Sequence, residues 1–276
     1  MYHLNTGQNT FVPSLTLFFY NGTNKNSGIT TRQKIGAVSM KPFSIKPLNS
    51  FQIIVLGFAG VILAGALLLM LPVSSATHCV TPFLSALFTS TTSVCVTGLI
   101  VVDTGTYWSV FGQAVILVLI QIGGMGVVTV AAAVTIISGR KIGLMQRSTM
   151  QEAVAAPKMS GIVRLTGFII RATLLIELSG AALLAPVFCR DFGLIRGLWM
   201  AMFHSISAFC NAGIDLMGIR IPFSSLTLYA ASPLVNLVIM ALIIIGGIGF
   251  LTWEDIRSNQ LHFSRYRMQS KVILTT

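Results

Sequence analysis

One short sequence pattern occurs twice in this chain and limits its possible folds more than any other feature. The segment 88–99, FTSTTSVCVTGL, returns at 203–214 as FHSISAFCNAGI. The two copies share phenylalanine, serine, cysteine and glycine at matching positions: Phe88/Phe203, Ser90/Ser205, Cys95/Cys210 and Gly98/Gly213. In each copy a mildly apolar segment leads into a glycine-containing loop, with long apolar stretches on both sides. The chain is therefore predicted to use one structural unit twice.

The flanking apolar stretches repeat as well. The first copy lies between stretches at about 51–71 and 110–137, and the second lies between stretches at about 165–184 and 234–251. AGALLLMLP closes one leading stretch and SGAALLAP closes the other, whereas the trailing stretches contain IQIGGMGVVT and IIIGGIGFLT. Pro72 and Pro186 are predicted to stop the leading helices. Each unit is therefore predicted to consist of a span, a half-helix, a loop and a second span.

The composition indicates that these stretches lie in a membrane. Hydrophobic residues make up 54% of the 276 residues and charged residues only 9%, against roughly 25% charged residues in soluble domains. Several apolar runs approach the ~20 residues that a membrane-spanning helix needs. We therefore predict an all-α, multi-pass membrane protein in contact with the lipid bilayer. The net charge of +11 comes from the tail and the loops, so membrane topology explains it better than nucleic-acid binding.

The segments before the repeated loops are too short to cross a bilayer. Residues 82–92 would extend roughly 16 Å at ~1.5 Å per residue, which is about half of a ~30 Å hydrocarbon core. Residues 199–208 form a segment of similar length. A membrane-embedded segment that does not cross must be surrounded by protein or water. Both segments are therefore predicted to be re-entrant pore helices.

The loops that follow these helices form the candidate ion-binding site. A dehydrated cation needs oxygen ligands in place of its water, and backbone carbonyls of an extended strand can supply them. Glycine suits such a strand because it adopts backbone angles that a Cβ disfavours. The candidate filter residues are Cys95, Val96, Thr97, Gly98, Cys210, Asn211, Ala212 and Gly213. Asp103 and Asp215 follow the glycines and could concentrate cations at an outer mouth; solvated loop acids are the alternative interpretation.

Other polar residues lie within or beside the predicted spans. Glu177 is predicted to support the structure by hydrogen-bonding backbone or hydroxyl groups near the second loop, with direct ion binding as the alternative. Gln121 is predicted to hydrogen-bond a neighbouring helix, and His204 to be a packing donor rather than a ligand. The trailing spans carry glycines that are predicted to allow close helix packing, with a hinge as the alternative; these are Gly123, Gly124, Gly126, Gly246, Gly247 and Gly249.

The basic residues set the expected orientation. They are concentrated in the tail and in the segments 138–164 and 252–271, whereas few lie on the loop side. Positive charge favours the cytoplasmic side, so the N-terminus is predicted to be cytoplasmic and both loops external. The predicted organisation is a cytoplasmic basic tail (1–49), a first pore repeat (50–137), a cytoplasmic loop (138–161), a second pore repeat (162–253), and a cytoplasmic linker with the start of a truncated third repeat (254–276).

No sequence motif of an enzyme is found. The chain contains neither G-x-S-x-G, nor a phosphate-binding Gly-Lys-Ser loop, nor a His/acid cluster at metal-binding spacing. Its four cysteines show no C-x-x-C spacing. We therefore predict no catalytic residue, no bound cofactor and no metal beyond a transported monovalent cation.

At FTSTTSVCVTGLIVVDT, IGGMGVVT, FHSISAFCNAGIDLMG and IIIGGIGF the sequence resembles the Trk/Ktr/HKT superfamily of potassium transporters, and most closely the bacterial Ktr-type membrane subunit. The resemblance covers about residues 50–276. It implies uptake of K⁺ across the plasma membrane, often stimulated by Na⁺, with Gly98 and Gly213 as the first and second filter glycines. It also implies a homodimer that sits on a cytoplasmic ring of nucleotide-binding regulatory subunits.

Members of this superfamily have four repeats around one pore, whereas two are found here. The leading expectation is the N-terminal half of an uptake subunit, as a fragment or a truncated product that is active or inactive. A second expectation is that two copies dimerise to form one cation pore. A secondary transporter of organic solutes that uses broken helices is the alternative from another class.

Overall fold

A computed structural model describes residues 50–127, 129–132, 144–153, 162–259 and 262–276. The predicted basic tail at 1–49 and most of the predicted loop at 138–161 lie outside the described residues. Within those residues the regular structure is helical and contains no strands, which confirms the all-α prediction. The α-helices are α1 (Ser50–Met70), α2 (Phe83–Val94), α3 (Thr104–Tyr107), α4 (Val110–Met125), α5 (Leu144–Ala153), α6 (Ile162–Phe192), α7 (Leu194–Phe209), α8 (Pro233–Gly247), α9 (Phe250–Asn259) and α10 (Met268–Thr275).

Two helices, α1 and α6, are each long and apolar enough to cross a membrane, and α8 with α9 would make a third, bent span. Many large apolar side chains of α1 are exposed, because a helix that faces lipid has no reason to bury them. Helix α1 ends at Met70, and Pro72 follows in a short 3-10 turn. The predicted stop at Pro72 is therefore confirmed.

The predicted stop at Pro186 is wrong, because α6 continues through this proline to Phe192. A proline inside a helix removes one hydrogen bond and crowds the preceding turn, at a cost of ~3 kcal/mol. Tertiary contacts beyond the proline oppose that cost. Phe188 is fully buried, and the Tyr229 hydroxyl donates a hydrogen bond of 2.6 Å to Asp191. The last turns of α6 are thus held by the rest of the protein.

Each long helix packs against the short helix that follows it, α1 against α2 and α6 against α7. Both pairs approach closely at equivalent glycines: a Cβ on Gly65 would clash with Ser90 Oγ, and a Cβ on Gly180 would clash with Ser205 Oγ. Both serine hydroxyls donate to a backbone carbonyl of the long helix, at 2.7 Å for Ser90 and 2.6 Å for Ser205. The sequence matches therefore correspond to matching contacts.

The trailing spans are interrupted. Helix α4 ends at Met125, ahead of Gly126, whose φ is +82°. The crossing predicted for 234–251 is not one helix: α8 ends at Gly247, and α9 leaves at an angle of 88° after Gly249, whose φ is +86°. Positive φ is costly for residues that carry a Cβ. Glycine at these two positions therefore allows the chain to turn where an uninterrupted helix was expected.

The glycines of the trailing spans divide into two kinds. Gly123, Gly124 and Gly246 are packing positions, because a Cβ on each would clash with Val94, Cys210 and Phe209 respectively. Gly126 and Gly249 have open space around a Cβ and positive φ instead. The packing interpretation is therefore confirmed for Gly123, Gly124 and Gly246, whereas a hinge at Gly126 or Gly249 stays a prediction.

Both units contribute to one buried core. Trp108, Ile116 and Ile120 of the first unit belong to the same buried cluster as Phe188 and Phe203 of the second. Helix α4 contacts α7 directly. The two units thus pack side by side, which brings their loops together.

Candidate functional site

The candidate site consists of the two loops that follow the short helices: the first loop segment (residues 95–98) and the second loop segment (residues 210–213). Helix α2 ends at Val94 and α7 at Phe209. At ~1.5 Å per residue, α2 is about 18 Å long, in agreement with a half-helix. Helix α7 begins at Leu194, earlier than the predicted start at 199, and reaches roughly 24 Å, still short of a ~30 Å core.

The backbone of the two segments follows the same pattern. Val96 and Gly98 have φ of +56° and +77°, and Asn211 and Gly213 have φ of +58° and +69°. Asparagine tolerates this region, but a β-branched valine at positive φ is an outlier. Such strain persists only where the surroundings hold the chain in place. The shared pattern is therefore imposed by contacts around each segment.

Thr92 provides those contacts for the first segment. Its carbonyl accepts from the backbone N–H of Thr97 at 3.0 Å, and its hydroxyl accepts from the N–H of Leu99 at 3.0 Å. The Thr92 and Thr97 hydroxyls also hydrogen-bond at 2.5 Å. Thr92 is buried whereas Thr97 and Leu99 are exposed, so the bonds of the Thr92 hydroxyl are only partly shielded from water. A single side chain at the end of α2 thus fixes both sides of Gly98.

Ser207 has the equivalent place in the second unit. Its carbonyl accepts from the N–H of Ala212 at 2.8 Å, and its hydroxyl donates to the carbonyl of Ile214 at 2.5 Å. Sequence reasoning missed both Thr92 and Ser207. A signal was present, because the repeated pattern carries a hydroxyl residue at this position in both copies.

The two segments lie against each other at their glycines. A Cβ on Gly98 would lie 2.6 Å from the Ala212 carbonyl oxygen and 3.6 Å from the Gly213 Cα. A Cβ on Gly213 would lie 3.8 Å from the Gly98 Cα. The two filter glycines named from the sequence are therefore neighbours in space, and a side chain on Gly98 has no room.

The remaining residues of the segments differ in exposure. Cys210 is buried against α4, where a Cβ on Gly124 would lie 2.5 Å from its Sγ. Cys95 is exposed, and Ala212 is buried. Asn211 and Gly213 line a cavity of about 240 Å³ together with Asp215. One side of the second segment thus packs on protein while the other is open.

The two acids predicted for an outer mouth have different roles. Asp103 is only 8% exposed and caps α3, accepting from the N–H and the hydroxyl of Thr106, both at 3.0 Å. Its other oxygen accepts from the Phe223 N–H at 2.9 Å. Burial contradicts the solvated loop acid that was the alternative for Asp103, and three hydrogen bonds make this residue a structural link between the loops of the two units. A role of Asp103 at an outer mouth stays a prediction.

Asp215 is only partly buried and borders the cavity beside Gly213. It accepts from the Met217 N–H at 2.8 Å and from the Ser225 hydroxyl at 2.9 Å. A role of Asp215 at an outer mouth stays a prediction, with its carboxylate beside the cavity.

The two intramembrane polar residues bond to each other. The Gln121 side-chain amide donates to Glu177 Oε2 at 3.1 Å, which confirms that Gln121 bonds a neighbouring helix. The partner predicted for the Glu177 side chain is wrong, because this side chain bonds Gln121 of the first unit. Only the backbone carbonyl of Glu177 accepts from a hydroxyl near the second loop, that of Ser205. Glu177 is 2% exposed, so this bond lies inside the protein.

His204 uses both ring nitrogens within the protein. Its Nδ1 lies 2.7 Å from the Met200 carbonyl oxygen, and its Nε2 accepts from the Leu216 N–H at 3.3 Å. These bonds assign the proton to Nδ1. Among the described residues, no group of three His, Cys, Asp or Glu side chains is arranged to hold a metal ion.

Comparison with known proteins adds to this geometry. The family profile TrkH, described as a cation transport protein, matches residues 35–272. The chain is 42% identical over 224 residues to the Ktr system potassium uptake protein B of Bacillus subtilis, covering 81% of this chain and 48% of the relative. It is 38% identical over 236 residues to the potassium/sodium uptake protein NtpJ of Enterococcus hirae, covering 86% and 51%. The chain spans about half the length of the curated relatives it matches.

Proposed function

This chain belongs to the TrkH family of cation transport proteins, and we propose that it forms part of the ion-translocating subunit of a potassium uptake system. The family is one of transporters, so an enzymatic function is not expected. We assign K⁺ as the transported ion and Na⁺ as a stimulant of its uptake. The names of two relatives, a potassium uptake protein and a potassium/sodium uptake protein, support this choice.

The observation that carries the proposal is the contact between the two loop segments. Two backbones with the same alternation of positive φ meet at Gly98 and Gly213. Reversing φ at every second residue turns alternate peptide groups, so carbonyl oxygens that would point to opposite sides of a strand can point to one side. Oxygens on one side can replace the hydration shell of a cation. We assign the selection of K⁺ to these carbonyls.

The surrounding charges favour a cation at this place. Helices α2 and α7 end immediately before the loop segments, and the C-terminal end of a helix carries about −0.5 elementary charge. The Asp215 carboxylate borders the cavity beside Gly213 and would raise the local cation concentration. We assign Asp103 to the support of the loops instead.

A complete ring of oxygens needs more strands than this chain supplies. We propose that two further strands come either from the other half of a longer polypeptide, as in the relatives of twice the length, or from a second copy of this chain. A homodimer and a regulatory ring on the cytoplasmic side are part of the same proposal. In this arrangement the N-terminus and the basic segments 138–161 and 254–276 lie on the cytoplasmic side of the membrane, and both loop segments lie on the external side.

Uptake by a bacterial strain that lacks its own potassium transporters would test the proposal. This chain would be expressed alone and fused to the half of the Bacillus subtilis relative that it does not match. We expect the fusion to restore growth on low potassium and to take up rubidium, and Gly98→Ala to abolish both. The matched control is Gly60→Ala, because a Cβ there has nothing within 4 Å.

Three outcomes of this experiment decide between the assemblies. Growth of cells that express the fusion, without growth of cells that express the unfused chain, supports a pore built from four strands of one polypeptide. Growth with the chain alone supports two copies around one pore. A fusion that reaches the membrane, resists unfolding as well as the Gly60→Ala variant and carries no K⁺ or Rb⁺ would contradict the function itself.

A further inference from the structure

A groove runs between the N-terminal part of α6 and helix α9. It has a volume of about 620 Å³. Arg164, Phe168, Arg171 and Leu175 line it from α6, and their spacing places them on one face of that helix. Trp253 and Arg257, which are four residues apart on α9, line the opposite wall.

Three guanidinium groups give this groove a positive charge. Arg164, Arg171 and Arg257 are all exposed. Among the described residues, the salt bridges involve Arg220 and Arg267, so none of the three groove arginines is neutralised there by an acid. Arg257 is instead placed over the Phe168 ring, 4.6 Å from its centroid, which fixes its position at the edge of the groove.

The nearest acid is already engaged. Glu254 borders an adjoining hollow that Arg164 and Arg257 also line. Its Oε2 accepts from Arg267 Nη2 at 2.9 Å, and that arginine also pairs with the buried Asp255. The groove therefore has an excess of positive charge, and its arginines can bind an anion that does not come from the described residues.

The groove changes from polar to apolar along α6. Arg164 lies near the start of this helix, and Arg171 lies seven residues further along, about 10 Å deeper. Beyond Arg171 the lining is apolar, with Ala172, Leu175 and Ile176. Helix α6 is apolar enough to cross a membrane, and tryptophan such as Trp253 is typical of the boundary between headgroups and acyl chains. An occupant must therefore match positive charge at one end and hydrocarbon at the other.

We propose that this groove binds an anionic phospholipid. The lipid phosphate lies between Arg164 and Arg257, within reach of Arg171, and an acyl chain follows Leu175 and Ile176. Arginine suits this contact because its planar donors match phosphate oxygens in pairs. A basic pocket between membrane helices at the headgroup level is the environment that anionic headgroups occupy. The lipid site is separate from the loop segments and does not depend on the ion that the protein carries.

Native mass spectrometry of the full chain in detergent, titrated with phosphatidylglycerol or with zwitterionic phosphatidylcholine, would test the site. We expect tighter binding of phosphatidylglycerol and about a tenfold loss of its affinity in Arg164→Gln/Arg257→Gln. The matched control is Arg190→Gln/Arg265→Gln, which removes the same charge at two exposed arginines away from the groove. Arg164→Lys/Arg257→Lys keeps the charge but loses the paired donors, so its affinity for phosphatidylglycerol should lie between that of the glutamine variant and that of the unchanged chain.

The remaining outcomes would overturn the proposal. Equal binding of both lipids, or an unchanged affinity for phosphatidylglycerol in the glutamine variant, would exclude a specific lipid phosphate at this place. Displacement of the lipid by millimolar inorganic phosphate would assign the groove to a free anion. Loss of binding in the glutamine and control variants alike would show a general effect of charge. Thermal unfolding of each variant in the same detergent shows that the comparison is made on folded protein.

Discussion

Gln121 donates a hydrogen bond of 3.1 Å to Glu177, and this bond joins α4 of the first unit to α6 of the second. The other carboxylate oxygen of Glu177 and the amide oxygen of Gln121 are buried without a hydrogen-bond partner among the described residues. A buried acid with one bond depends heavily on that bond, because no water replaces a lost partner.

Replacing Gln121 alone should therefore destabilise the protein. We expect Gln121→Met to lower the free energy of unfolding by about 1–3 kcal/mol, since it leaves the Glu177 carboxyl group unpaired. The double variant Gln121→Met/Glu177→Met should recover much of the loss, because it removes both polar groups at similar volume. Thermal unfolding in detergent measures both effects. A double variant less stable than either single variant would contradict the view that the two side chains matter to stability through their mutual bond.

Thr92 should control selectivity through its hydroxyl. Thr92→Val keeps the shape but removes the acceptor for the Leu99 N–H, and the loss of this partly buried bond costs about 1 kcal/mol. We expect a lower ratio of K⁺ to Na⁺ uptake, because the first loop segment loses a bond that fixes it.

Thr91→Val is the matched control for this change. The Thr91 hydroxyl donates only within its own helix, to the Leu87 carbonyl at 2.7 Å. Ser207→Ala in the second unit should act like Thr92→Val, and Ser93→Ala, whose hydroxyl donates to Thr89, should act like Thr91→Val. Equal effects of Thr91→Val and Thr92→Val on the uptake ratio would show that the Thr92 hydroxyl has no special part.

Asp215 and Asp103 should differ in their effects, with Asp215 affecting the KM for K⁺ and Asp103 affecting the stability of the protein. Asp215→Asn removes a charge beside the cavity, so we expect a KM for K⁺ that is higher by a few-fold, and more so at low ionic strength. In Asp103→Asn an NH2 group, which is a donor, replaces one of the two oxygens that accept hydrogen bonds, such as the one that accepts from the Phe223 N–H. We expect it to lower the melting temperature with little change in KM. Transport kinetics at two salt concentrations, with unfolding measured in parallel, check both. The reverse assignment of the two effects would place Asp103 at the ion path.

The sequence alone predicts those features of the fold that depend on a local pattern of residues. The paired loops, the packing glycines and the short helix α2 follow from residues whose size or backbone freedom decides their place. Three features could not be predicted in this way. Pro186 is tolerated because of distant contacts made by Phe188 and Asp191. The partner of Glu177 depends on how the two units pack. The turn after α8 was missed because Gly246 and Gly249 look alike in sequence, although only Gly249 has positive φ.

That last difference gives a prediction on these two glycines. At Gly249 a Cβ meets nothing within 4 Å, so only its φ of +86° restricts the residue. Asparagine enters this region more easily than β-branched residues. Gly249→Asn should therefore keep most of the stability and uptake of the fusion, whereas Gly249→Val should lose about 1–2 kcal/mol.

At Gly246 the restriction is steric, because a Cβ would clash with the Phe209 carbonyl oxygen at the end of α7. Gly246→Ala and Gly246→Asn should both reduce stability and uptake, since any side chain displaces the backbone that leads into the second loop segment. The comparison uses rubidium uptake and thermal unfolding of all four variants. Equal losses of stability and uptake in Gly249→Asn and Gly246→Asn would contradict this prediction. The backbone angle at Gly249 would then not be the only restriction, and the glycine would be needed for a close contact that forms in the assembled transporter.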